Sequence, residues 1–427
     1  MFSFIYSFLI NIIYIPFILV TYFRIFIKKE HSSKFKEKII FNKIKRPEGF
    51  LFWFHVASIG EFRSIIPFVN FFLKNNQKFN ILITTITLSS YNEFLKYYEN
   101  NERVFHQFLP YDQKYLVKHF LNSWKPNIVS FVDSEIWPNF ISNIKKEKLP
   151  FILLNARITK KTLRRWQIFK SFSKDLFGSF SLCISASKET EQNLKILEAK
   201  NIKFFGNIKF CSNLSSEYKF SKNELKNIFN KKIWCAVSTH RDEERFCANV
   251  HTIVKKKERD SICIIIPRHI NRINKILKDI QDSNLKIQIK NEKNEINESA
   301  ELVLVNYYGA VNKYLNNINQ IFIGKSLVSR LASVGGQNPI DAAKLGCRIY
   351  HGPYVYNFQE IYDFLDKSKI AEQVNEPWEL AEKIIQSFND KGFKNNEKLK
   401  ELEIYSDTIF NKVVNEYKKL INENSKT

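Results

Sequence analysis

Glycine is scarce in this chain, 11 residues in 427, which excludes collagen-like repeats and glycine-rich linkers. Cysteine is scarce as well: Cys183, Cys211, Cys235, Cys247, Cys263 and Cys347 form no CxxC pair. Most of them stand in apolar runs, as buried thiols do, so neither a disulfide framework nor a zinc site is expected and a reducing compartment fits. No short period recurs, which argues against a solenoid or propeller. There is no Walker A loop, no GxGxxG after the first strand and no GxSxG nucleophile elbow.

The chain does carry apolar residues and positive charge. Apolar residues make up 44% of it, enough for real cores, and its length suits two or three domains. Lys and Arg number 66 against 43 Asp and Glu, a formal charge of +23. Such an excess suits an anionic partner: nucleic acid, a phosphorylated metabolite or an acidic membrane. The chain is also rich in Asn, Ile and Phe, a bias that AT-rich coding produces, so total charge does not choose among these.

Residues 2 to 23 carry no charge, and 22 helical residues span about 33 Å, enough for a bilayer core. Arg24, Lys28 and Lys29 follow, so the rest of the chain is expected on the cytoplasmic side. The alternative is a helix lying in the interface, since Ser3, Asn11 and Pro16 dilute the span. From Lys28 to Arg46, eight Lys or Arg stand against two Glu. This stretch is expected either to face anionic headgroups or to serve as a solvated linker.

The remainder reads as two doubly wound α/β halves. Strand candidates in the first are 51–58, 80–87, 127–134, 151–157 and 181–187; in the second, 233–239, 261–267, 301–306, 320–324 and 347–352. Amphipathic stretches such as 61–76 lie between them, which implies parallel sheets covered by helices. The polar segment 211–230 reads as the linker, and the tail from about 394 as terminal helices. The expected divisions are an anchor at 1–27, a first domain at 28–215, a second at 216–393 and a terminal segment at 394–427. Two such domains would present a cleft at the carboxyl ends of their strands.

Polar residues cluster at those strand ends. Six of the eleven glycines lie between 301 and 360, where they mark positive φ or close backbone approach, and for Gly335–Gly336 approach of a ligand is favoured. Asn338, Pro339 and Asp341 then read as N-cap, N1 and first turn of a helix whose free N–H groups would suit an anion, with Asp341 a candidate partner for ribose hydroxyls. Arg268 ends an apolar strand and suits a phosphate or carboxylate. Glu61 falls in the first turn of a helix, where it is either a general base or a cap that offsets the helix dipole. Asp133 and Glu135 follow another strand, and Lys209 ends the first half.

Eleven motifs run in order along the chain: HVASIGEF (55–62), TTITLSS (84–90), LPYD (109–112), DSEIWPN (133–139), LNARIT (154–159), GNIKF (206–210), STHRDEE (238–244), PRHINR (267–272), GKSLV (324–328), GGQNPIDAAKLG (335–346) and GPYVYNF (352–358). Together they resemble the 3-deoxy-D-manno-octulosonic acid (Kdo) transferases of lipopolysaccharide synthesis. The resemblance implies a GT-B fold, two Rossmann-like domains facing a cleft that closes on its donor. It implies inverting transfer of Kdo from CMP-Kdo to a lipid A precursor, lipid IVA, at the cytoplasmic side of the inner membrane, whose anionic lipids would be a further partner. Neither metal, cofactor nor nucleic acid is implied. Glu61 matches the family's catalytic base, and Glu135 and Lys209 match its transition-state stabilisers. Pro267, Arg268, Tyr308, Gly309, Ala310, Asn338, Pro339, Ile340 and Asp341 match its CMP site.

Four departures from the family's pattern stand out. Ala310 stands where a glutamate is usual, Lys325 replaces a glycine, Gln337 replaces a histidine, and Leu88-Ser89-Ser90 replaces Pro-Thr-Gly. Two other readings compete: another membrane-associated GT-B transferase with a UDP-sugar donor and a lipid acceptor, and a membrane-tethered nucleic-acid-binding protein.

Overall fold

The computed structural model describes residues 2–40, 45–212, 220, 228, 230–390 and 396–424. The chain divides into two compact units, Met1–Asn213 with Tyr405–Thr427, and Leu214–Ile404. Most of the segment read as a linker, 211–230, lies outside the described residues.

The first unit opens with helices α1 (Phe2–Phe26) and α2 (Lys36–Ile39). It continues through β1 (Phe50–Val56), α3 (Ile59–Asn75), β2 (Phe79–Thr85), α4 (Leu88–Tyr98), β3 (Val104–Phe108), α5 (Lys114–Trp124) and β4 (Ile128–Val132). After these come α6 (Pro138–Lys146), β5 (Phe151–Ala156), α7 (Lys160–Gln167), α8 (Lys170–Phe177), β6 (Leu182–Ser185), α9 (Lys188–Ile196) and β7 (Ile202–Phe204). The parallel sheet has the order β3-β2-β1-β4-β5-β6-β7. Chain order reverses between β1 and β4, so a topological switch point lies at their carboxyl ends.

Strand β1 is apolar on both faces because both are covered. Alternate side chains go to opposite faces. Trp53 meets Phe120, Phe131 and Phe140, while Phe52 stacks on Phe72 with ring centres 4.5 Å apart. Phe52, Phe54 and Phe72 also surround Tyr417, which comes from the far end of the sequence. The terminal segment is one helix, Asn396–Asn424. Ile409, Val413 and Tyr417, spaced by four, form its buried stripe, and the Tyr417 hydroxyl lies 2.6 Å from Ser130 Oγ beneath β4.

Helix α1 bears one polar seam against this unit. Tyr6 donates to Asp112 Oδ2 (2.8 Å), Ser7 to Asn139 Oδ1 (2.7 Å) and Tyr14 to the Ile39 carbonyl. Thr21 meets the hydroxyl of Tyr111, whose ring stacks on Phe17. The basic stretch that follows is only partly available to a membrane. Lys38 is buried, 2.8 Å from Glu30 and bonded to the Ile86 carbonyl. Arg46 is spent on the carbonyls of Trp124, Pro47 and Gly49. A charge and its hydrocarbon stem both find partners there, so these two cations are structural.

The second unit repeats the architecture: β8 (Lys232–Thr239), β9 (Ser261–Pro267), β10 (Ile287–Lys290), β11 (Leu302–Val305), β12 (Gln320–Ile323), β13 (Arg348–His351) and β14 (Ala371–Gln373). Its parallel sheet has the order β10-β11-β9-β8-β12-β13-β14 and a switch point between β8 and β12. All ten expected strands are present. The four others, β3, β7, β10 and β14, are the four sheet edges.

Candidate active site

In the first unit the loops after β1 and β4 meet at the switch point. Helix α3 starts there because Ser58 is a good N-cap: its Oγ accepts from the Glu61 N–H (3.3 Å). Glu61 reaches back, its Oε1 accepting from the Ser58 hydroxyl (2.7 Å) and its Oε2 from the Ala57 N–H (2.8 Å). This is a variant of the capping box, with the carboxylate reaching the N-cap hydroxyl and the N–H one residue before it. The cap is therefore real, and it holds the carboxylate of Glu61 in one place. Burial raises the pKa of Glu61 above the usual glutamate value, and the nearby charge of Asp133 raises it further.

Glu135 has the opposite setting. Its Oε2 accepts from the Trp137 indole N–H (2.8 Å) and faces His55 Nε2 at 3.2 Å. Burial pushes its carboxyl up, but the bonds from His55 and Trp137 outweigh that and hold it below the ordinary range. Behind His55 lies Thr84, whose Oγ1 accepts from the Trp53 indole N–H (2.8 Å) and stands 2.9 Å from His55 Nδ1. The Thr84 carbonyl oxygen also faces Nδ1, at 3.3 Å, so His55 is held from behind by one residue while its Nε2 faces the Glu135 carboxylate. Two carboxylates at one switch point thus have environments that drive their pKa values apart, an arrangement suited to acid–base chemistry.

Asp133 adopts a left-handed conformation, φ 64°, and Lys209 Nζ approaches its Oδ2 at 3.7 Å. Lys209 sits in a single turn, Ile208–Cys211, held because Asn155 Oδ1 accepts from the Ile208 N–H. The fold brings together Glu61, Glu135 and Lys209, each singled out from the sequence. It adds Asp133, His55 and Thr84, to which the sequence reading gave no role. The signals for them were position at the ends of strands β1, β2 and β4 and a place in the motifs 55–62, 84–90 and 133–139.

In the second unit the loops after β8, β9 and β12 converge. Pro267 closes β9, and the Arg268 N–H donates to the Thr239 carbonyl (3.0 Å). The Arg268 side chain is exposed, with no ion pair among the described residues. Tyr308 is 77% exposed, and Gly309 has φ 82° with open space where a Cβ would stand. Ala310 is buried at the start of the helix Ala310–Leu315.

The helix after the glycine pair is short, Ile340–Lys344, and its N-cap is Pro339, not Asn338. Asn338 still caps, since its Oδ1 accepts from the Ile340 N–H (3.2 Å). Asp341 lies in the first turn and is partly exposed. A five-residue helix has little dipole, so the expected anion site would rest on individual N–H groups. The Gly335–Gly336 pair also corrects an expectation. A Cβ on Gly335 would stand 2.1 Å from the Tyr354 carbonyl, and one on Gly336 3.0 Å from that of Val355. The close approach these glycines permit is to the chain's own backbone, not to a ligand.

Glu243 was missed by sequence reasoning and organises this end of the sheet. Its buried carboxylate accepts N–H bonds from His240, Lys325, Ser326 and Leu327 at 2.6–3.0 Å. Burial raises its pKa, and these bonds oppose the rise. The loop so held has Lys325 at φ 61°. That explains why a glycine is usual there: the left-handed region is open to glycine at no steric cost.

Comparison with known proteins gives the site its context. Residues 33–212 match the family model described as 3-Deoxy-D-manno-octulosonic-acid transferase (kdotransferase). A 3-deoxy-D-manno-octulosonic acid transferase of Rickettsia bellii is 29% identical over 396 residues, 91% of each chain. An Arabidopsis thaliana protein named as a probable mitochondrial transferase of the same kind is 28% identical, covering 83% of this chain and 81% of its own. Among solved structures, a glycosyltransferase from Rickettsia africae superimposes with TM-score 0.56 at 15% identity, covering 88% of this chain and 99% of that one. The UDP-GlcNAc 2-epimerase of Neisseria meningitidis does so with TM-score 0.52 at 14% identity, covering 84% and 94%. These two likenesses show the fold alone, the pair of Rossmann-like domains called GT-B. The first unit matches the 3-deoxy-D-manno-octulosonic acid transferase family model, and relatives of that name align along up to nine-tenths of the sequence, so the chain is similar to that family along most of its length.

Proposed function

We propose that the chain is an inverting glycosyltransferase that moves Kdo from CMP-Kdo to the lipid A precursor lipid IVA in lipopolysaccharide synthesis. The observation that carries this reading is the pairing of Glu61 and Glu135 at the switch point of the first unit, in a chain whose relatives are Kdo transferases. A primary hydroxyl of the acceptor is a poor nucleophile until its proton is taken. Glu61 takes it, a contribution of about 10²–10⁴ in rate. The acceptor oxygen bonds to the anomeric carbon as the bond to the CMP phosphate oxygen breaks, and CMP leaves with the electron pair. Attack from the face opposite the leaving group inverts that carbon. Glu135 and Lys209 offset charge around the reacting sugar. Arg268 and the N–H groups beyond Ile340 in the same turn receive the phosphate of the departing CMP. Tyr308, Gly309, Ala310, Pro339, Ile340 and Asp341 complete the nucleotide's surroundings in this reading.

The decisive experiment is mass spectrometry of lipid IVA incubated with the protein and CMP-Kdo. Addition of one or more Kdo units supports the reading, and its absence removes it. Protection against heating by CMP but not by UDP separates it from a UDP-sugar transferase, since a ligand stabilises only the protein that binds it.

A further inference from the structure

The polar seam of α1 runs along its length: Tyr6, Ser7, Tyr14, Thr21 and Tyr22 all meet the first unit. From Tyr6 to Tyr22 the helix rises about 24 Å. Its partners Asp112 and Asn139 belong to the folded interior of the unit. A helix crossing the bilayer would carry those partners into hydrocarbon, where their polar groups have no water. The opposite face of α1 is apolar and exposed, with Phe4, Phe8, Ile12, Ile15, Leu19 and Phe26 all outward.

A second exposed surface lies on helices linked to α1 by packing. Helix α1 packs on α6 and α6 on α8, and the rings of Tyr6 and Phe172 lie 6.4 Å apart. At the corner between α7 and α8, Ile168 is 72% exposed and Phe169 44%. Around them Lys160, Lys161, Arg164, Arg165 and Lys170 are exposed and hold no ion pair among the described residues. Two exposed apolar side chains amid exposed cations suit the headgroup boundary of an anionic leaflet.

We infer that α1 lies in the plane of the membrane, docked by its seam, and that the α7–α8 corner is a second membrane contact that binds anionic phospholipid headgroups beside it. The inference does not depend on the identity of the sugar donor.

The test uses the full chain bound to the outside of sealed vesicles. All six native cysteines are buried, so a single cysteine added ahead of Met1 or placed by Lys29→Cys, both off the apolar face, can be labelled selectively with a membrane-impermeant maleimide. An in-plane helix leaves both ends reactive from outside. Protection of the N-terminal cysteine until the vesicles are permeabilised would show a spanning helix and overturn the first half. For the corner, binding is compared on phosphatidylcholine vesicles and on vesicles with 30 mol% phosphatidylglycerol. Arg164→Glu/Arg165→Glu is expected to abolish at least tenfold of the preference for the anionic vesicles while sparing binding to the neutral ones. Ile168→Asp is expected to weaken binding to both. These side chains are exposed, so an unchanged melting temperature checks the fold. Undiminished anionic preference in the double variant would overturn the second half.

Discussion

His55 Nε2 lies 3.2 Å from Glu135 Oε2, with Thr84 on the other ring nitrogen and Trp137 on the same carboxylate oxygen. This buried relay keeps Glu135 ionised while Glu61, a short distance along the same switch point, is pushed the other way. His55→Phe removes the relay's central donor. The pKa of Glu135 should then rise toward ordinary values, and the pH profile of kcat should gain a steeper fall on the acid side. A profile identical to that of the wild type would show that the relay is only structural.

Glu61→Gln keeps an acceptor for the Ala57 N–H and so most of the cap, but it cannot take a proton. Transfer should fall a hundredfold or more, with a loss of stability of no more than about 1 kcal/mol. The pH dependence has a defined sign. Because burial raises the pKa of Glu61, the active ionised form is lost as pH falls, with a midpoint above the usual value of about 4.3. Turnover near the wild-type level in Glu61→Gln would remove Glu61 from the base role.

Asp112 is buried beneath α1, and burial lifts its carboxyl from 3.8 to about 7 despite N–H bonds from Asn139 and Phe140. A folded-state pKa raised above the unfolded value means the native protein holds the extra proton. The contribution of Asp112 to stability is therefore fully present below about pH 4 and is lost as pH rises through about 7. Asp112→Asn should flatten this dependence. Urea unfolding at pH 5 and pH 8 measures it, and an equal change in both proteins would reject the assignment.

Tyr417 joins the terminal helix to the first sheet. Tyr417→Phe leaves Ser130 without that partner under β4, at a cost of about 1–3 kcal/mol. Tyr417→Ala also opens a cavity among Phe52, Phe54 and Phe72, and should cost about 3–5 kcal/mol. Denaturant midpoints check both, and a smaller effect of Ala than of Phe would contradict the packing.

Arg268→Ala should weaken CMP binding by roughly ten- to a hundredfold, the worth of a hydrogen-bonded charge. The native melting temperature should be preserved, since the side chain is exposed. Calorimetric titration with CMP measures it, and unchanged affinity takes Arg268 out of the donor site.

The composition and strand pattern were enough to establish two parallel α/β domains. Strands covered on both faces must be continuous runs of apolar residues, and all ten such runs became strands. The four edge strands escaped because an edge is covered less and needs no such run: VFHQF, IKF, IQIK and AEQ look like loops. Glu61, Glu135 and Lys209 were visible as polar residues at strand ends, and their motif order pointed to the family. Their electrostatic setting was not visible, because it depends on what burial and neighbours do to each charge. His55 and Asp133 take their roles from strands brought side by side. Gly335 and Gly336 were read as ligand contacts, yet only the folded chain shows that residues 354–355 fill that space. The apolar character of α1 was written in its residues, whereas its docking was decided by partners more than a hundred residues away, Asp112 and Asn139. Local pattern records what each segment must bury, and tertiary packing alone determines which segments bury it together.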